Sequence, residues 1–120
     1  MLKVGFKMSK GIIGIFKCEE KGTQLCSVSV RSSETPEELE KAVQSEHHSV
    51  NLKLVGTFSF ECNGETGEVE KKLRALLAET FGKYVPPYKK WECYKVDYKK
   101  VISFIGSVLP LCKAITDFNE

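Results

Sequence analysis

Between Lys83 and Lys100 six lysines (Lys83, Lys89, Lys90, Lys95, Lys99 and Lys100) stand among five aromatics, against the two acids Glu92 and Asp97. Lysines neutralise phosphates and flat aromatic faces stack on bases, so this stretch suits nucleic acid, with Trp91 placed to stack. It equally suits a strand whose core residues are Trp91, Tyr94 and Val96 and whose edge is solubilised by lysine. Glu70 and Arg74 are four residues apart, the spacing of an ion pair along one helix face. His47 and His48 are adjacent, point in different directions and have no cysteine at zinc-site spacing, which reads as a solvated helix end. Gly11-Ile12-Ile13-Gly14 lacks the further glycines or the Lys-Ser/Thr pair of a nucleotide-binding loop.

The five cysteines, Cys18, Cys26, Cys62, Cys93 and Cys112, are odd in number and share no short spacing. No signal-peptide pattern opens the sequence, so reduced thiols and an intracellular setting, cytoplasm or nucleus, are expected. The longest apolar run, Val101 to Cys112, is interrupted by Pro110 and falls well short of a membrane span. With 120 residues, 42% hydrophobic and 28% charged, the chain is sized for one globular domain. Its net charge of +2 names no partner; only the distribution of charge does.

The elements that must position these residues follow from periodicity. Gly11 to Cys18 is a β-branched run that reads as a buried strand, and Leu25 to Arg31 alternates with period two after a Gly22-containing turn, giving a hairpin. Thr35-Pro36-Glu37-Glu38 is a helix start with a capping box, predicting a helix to about Glu46. Leu52 to Phe60 predicts a third strand with Leu52, Leu54, Gly56, Phe58 and Phe60 on one face. Val69, Leu73, Leu76, Leu77 and Phe81 mark a second helix, capped by Thr66 and stopped by Gly82. A short strand from Trp91 to Val96 leads to a last helix that Asp97 caps and Pro110 ends. The expected organisation is an extension over 1–10, a domain over 11–109 and a tail over 110–120. Met8 is a candidate functional start.

This order, with Gly14-Ile15-Phe16, Cys26-Ser27-Val28-Ser29, Thr35-Pro36-Glu37-Glu38-Leu39, Asn51 to Phe58, Glu70-Lys71-Lys72-Leu73-Arg74 and Trp91-Glu92-Cys93-Tyr94, resembles the GIY-YIG nuclease domain, notably its compact form in phages and large DNA viruses. The resemblance implies an α+β fold (α/β in the broad sense), with a small, mainly antiparallel sheet of three to four strands flanked by three helices. It also implies a site in which tyrosines activate water, an arginine steadies the phosphate and a glutamate holds one divalent ion. Here Phe16 stands for the first tyrosine, Cys26 falls in the second motif and Leu39 replaces the arginine. Arg31 is the candidate substitute for that arginine, an arginine (Arg74) replaces the histidine of the glutamate motif, and Glu70 alone is retained. The implied catalytic set is therefore Cys26, Arg31 and Glu70, with Mg²⁺ at Glu70 only if the domain cuts and otherwise no cofactor.

A phosphodiester resists attack until cations neutralise it and water loses a proton. Phe16 cannot exchange a proton, and Leu39 cannot neutralise phosphate. The expectation is a DNA-binding module on a nuclease-like scaffold without activity, using Lys83, Lys89, Lys90, Trp91, Lys95, Lys99 and Lys100. The alternatives are a divergent metal-dependent endonuclease and a small structural or interaction protein, with virion association suggested by the viral look-alikes. DNA is the expected partner, protein partners stay open, and no membrane is expected.

Overall fold

A computed structural model describes residues 8–20, 23–32, 35–46, 52–84 and 93–118. Among them, β1 (Met8–Glu20) and β2 (Thr23–Ser32) form the expected hairpin, followed by α1 (Pro36–Glu46), β3 (Leu52–Asn63) and α2 (Thr66–Phe81). Two-residue strands β4 (Lys83–Tyr84) and β5 (Cys93–Tyr94) precede α3 (Tyr98–Phe118). The sheet is antiparallel in the order β3-β1-β2-β5-β4, so the α+β expectation holds: three long strands, a short two-strand margin, three helices. No described helix is long and apolar enough to cross a membrane.

Both faces of the sheet are covered. The period of two sends Ile13, Ile15, Cys26, Val28 and Val30 to one face, where Val69, Leu73 and Leu77 of α2 and Val101, Ile105 and Leu109 of α3 pack on them. Ile12, Phe16, Cys18, Leu25 and Leu52 face the other way, beneath Leu39 and Val43 of α1. That approach requires glycine at 14, because a Cβ there would collide with Leu39.

The local signals at the ends of the helices are realised in detail. The Thr35 hydroxyl accepts from the Glu38 N–H at 3.2 Å, and the Glu38 carboxylate accepts from the Thr35 N–H at 3.1 Å, the reciprocal pair of a capping box. Gly82, at φ 81°, stops α2 where a side chain would be strained. The Asp97 carboxylate accepts from the Lys99 N–H at 3.1 Å and starts α3.

Three local expectations are corrected. Residues Leu52 to Phe60 do not share one face. A β-bulge at Val55, where Ile15 pairs with Gly56 and Phe16 with Leu54, puts Leu52 and Leu54 on the α1 side and Phe58 and Phe60 on the α3 side. Thr66 is not the cap of α2; Glu65 holds that position, and the Thr66 hydroxyl instead bonds the Ser32 hydroxyl at 2.9 Å. Nor does Pro110 end α3, which continues to Phe118. Proline withholds one backbone N–H, orphaning the Gly106 carbonyl, but Gly106 is exposed and water can satisfy it.

Candidate nucleic-acid interface

The three residues of the implied catalytic set diverge. Cys26 and Arg31 are five apart on β2, an odd separation that sends them to opposite faces of the sheet. Cys26 pairs with Tyr94 and is fully buried in the core under α2 and α3. Burial pushes its thiol up from 9.0 to about 12, with Cys93 and then Asp97 adding to the rise, so it holds its proton at neutral pH. Arg31 is half-buried on the α1 side, paired with Ile12. Phe16 and Leu39, standing for the tyrosine and the arginine, are fully buried in the core of that same side.

Glu70, on α2, gives its carboxylate to the Arg74 guanidinium at 3.0 Å. Arg74 also donates to the Val28 carbonyl at 3.4 Å. The reason lies in the sheet: β5 pairs with β2 only at Cys26, so α2 runs along the remainder of β2, with Thr66 meeting Ser32 and Arg74 meeting Val28. A divalent cation needs several oxygen ligands. The Glu70 carboxylate is already bonded to a cation, and no group of three or more His, Cys, Asp or Glu gathers among the described residues. These residues do not fit a metal site.

The lysines behave differently. Lys17 pairs with both Cys26 and Lys53, Cys26 with Tyr94, and Tyr94 with Lys83, so Lys53, Lys17, Cys26, Tyr94 and Lys83 form one row across all five strands. Paired residues share a face, so the three lysines lie on the side that carries α2 and α3. Cys26 and Tyr94 are covered and the lysines are exposed. Lys95, Lys99 and Lys100, also exposed, follow at the end of β5 and in the first turn of α3. Ile102 packs at Gly56 and Gly106 lies near Phe58, so α3 runs alongside β3 and its start sits at the end of the sheet where Lys53 lies. Five elements thus deliver six exposed lysines to one end of the domain.

Four of these, Lys83, Lys95, Lys99 and Lys100, are expected from the sequence; Lys89, Lys90 and Trp91 lie outside the described residues, as do His47 and His48. Lys17 and Lys53 are additions. Their signal was faint: each is a lone lysine inside an apolar run, Phe16-Lys17-Cys18 and Leu52-Lys53-Leu54. Tyr94, threaded among the lysines, is buried in the core and offers no face for stacking. No protein-family model, no curated protein and no solved structure matches the chain.

Proposed function

We propose that this domain binds DNA through the basic end of its sheet and does not cut it. One observation carries this: β1, β3 and β4 present exposed lysine in one row on the α2 and α3 side of the sheet, and the exposed lysines at the end of β5 and the start of α3 lie at the same end. Phosphate contacts need only such cations, and their free energy comes from released counterions. The reading without cleavage is supported by Phe16 and Leu39 in the core, a Cys26 thiol that keeps its proton, and a Glu70 already bonded to Arg74. A GIY-YIG-like scaffold that has exchanged its catalytic residues for packing residues accounts for all of these. Buried thiols suit a reducing intracellular compartment, where DNA is also found.

Titration of labelled DNA at rising salt tests the proposal. If some four lysines meet phosphates, log affinity should fall against log salt with a slope of roughly −3 to −4, at about 0.9 per contact. Absence of any binding at low salt, to duplex or single strand, would remove it. Nicking of supercoiled plasmid with Mg²⁺ or Mn²⁺ that Glu70→Ala abolishes would replace it with the endonuclease reading.

A further inference from the structure

The two margins of the sheet differ. β4 is two residues long and carries Lys83, a short charged edge of the kind that resists pairing. β3 forms the other margin with 12 residues, and among the described residues no strand lies beyond it. Between Lys53 and Glu61 it holds neither charge nor proline. The bulge at Val55 interrupts it near one end and leaves Gly56 to Asn63 in regular register with β1. Such an edge offers its backbone N–H and C=O groups to another strand.

We infer that the outer edge of β3 pairs with the same edge of a second copy of this chain, antiparallel about a two-fold axis at Thr57, joining the two sheets. A two-fold contact requires that a residue i meeting j be matched by j meeting i. In this register Thr57 meets its own copy on the α1 side, where it is exposed, and Phe58 stands opposite Gly56 on the α3 side. Thr–Thr pairs are favourable across strands, and an aromatic ring covers the gap left by an edge glycine. Phe58 and Ile102, which lies over Gly56, are each half-buried in one copy, and the second copy removes more of both from water.

Charge favours the same direction. Lys53 and Glu61, both exposed, lie equally far from Thr57 on its two sides. Antiparallel pairing brings the Lys53 end of each strand to the Glu61 end of the other, whereas parallel pairing sets like charges together. The bulge sends these two side chains to opposite faces, so they act through their fields and not as a direct ion pair. α3 runs over β3 and leaves room at this margin. Gly106 is exposed beside Phe58, so two copies of α3 can lie at the ordinary separation of about 8–10 Å.

Sedimentation of the full chain in reductant, from micromolar to millimolar concentration, should show a monomer–dimer equilibrium. Thr57→Lys sets like charges directly opposite across the axis and should raise the dissociation constant at least about tenfold, with the folded far-UV spectrum kept because the position is exposed. Thr80→Lys, at an exposed position of α2, should leave the dimer as it is. Cross-linking in a Cys112→Ser background reads the register, and it decides the matter should Thr57→Lys unfold. Residues directly opposite lie about 4.5–5.5 Å apart, within disulfide reach, so Thr57→Cys should oxidise to a covalent dimer. Ser59→Cys, whose two copies lie about 13 Å apart in this register, should not. A chain that stays monomeric throughout, a dimer that folded Thr57→Lys leaves intact, or a Thr57→Cys that cross-links no better than Ser59→Cys each overturns the inference.

Discussion

Arg74 holds Glu70 at 3.0 Å along α2 and reaches the Val28 carbonyl with the same guanidinium, so it ties α2 to the part of β2 that β5 leaves unpaired. The two partners are unequal in consequence. Both side chains are about a third exposed, and an exposed i, i+4 pair contributes only about 0.3–0.5 kcal/mol. The bond to the carbonyl adds about 1 kcal/mol. In urea denaturation Arg74→Ala should therefore cost about 1–1.5 kcal/mol and Glu70→Ala less than about 0.5 kcal/mol. Equal losses from the two would show that the carbonyl contact does nothing.

Leu39 against Gly14 makes a second case. The methyl of Gly14→Ala would overlap the Leu39 side chain, and overpacking of this kind costs about 1–3 kcal/mol. Leu39→Arg, which would restore the arginine of the nuclease pattern, puts a charge where the side chain is now fully buried. An unpaired buried charge costs several kcal/mol, so the expected outcome is a lowered melting temperature or no folded protein, and no gained nicking. A stable, cleaving Leu39→Arg variant would contradict the placement of α1.

The thiols supply a pH test. Cys18, Cys26, Cys62 and Cys93 are buried as thiols, outside any disulfide. In a Cys112→Ser protein, which leaves these four, a thiol reagent should label none at neutral pH until denaturant is added. For Cys26 the folded value is raised to about 12 from 9.0, so the unfolded chain loses this proton first. Its contribution to stability is full below about 9 and is lost as pH rises towards about 12. Denaturation midpoints should fall across that window, and Cys26→Ala should flatten the fall. A stability independent of pH there would mean that Cys26 is not held neutral.

Asp97 links capping to the basic end. Asn caps helices about as well as Asp, so Asp97→Asn should leave the melt nearly unchanged, whereas Asp97→Ala should cost about 1 kcal/mol. Both remove one negative charge from beside Lys95, Lys99 and Lys100, and both should tighten DNA binding at low salt. Looser binding by Asp97→Asn would place DNA elsewhere on the domain.

Much of this protein is written locally in its residues. Thr35, Pro36 and Glu38 announce α1 because a capping box closes within one turn, and Gly82 and Asp97 act over similar distances. The alternation of β2 sorted Cys26, Val28 and Val30 from Ser27 and Ser29 without reference to any partner. Capping and alternation are neighbour effects, and sequence displays neighbours. The tertiary structure decided the rest. The bulge at Val55 exists only against β1, and it alone turns Leu54 and Phe58 to opposite sides. Thr66 reads as a cap until Ser32 arrives from β2 to take its hydroxyl. Lys17 and Lys53 are remote in the chain and meet only because two strands align in one register. Strand register follows from which hydrophobic faces can be buried together, a condition on the whole sheet that no single segment carries.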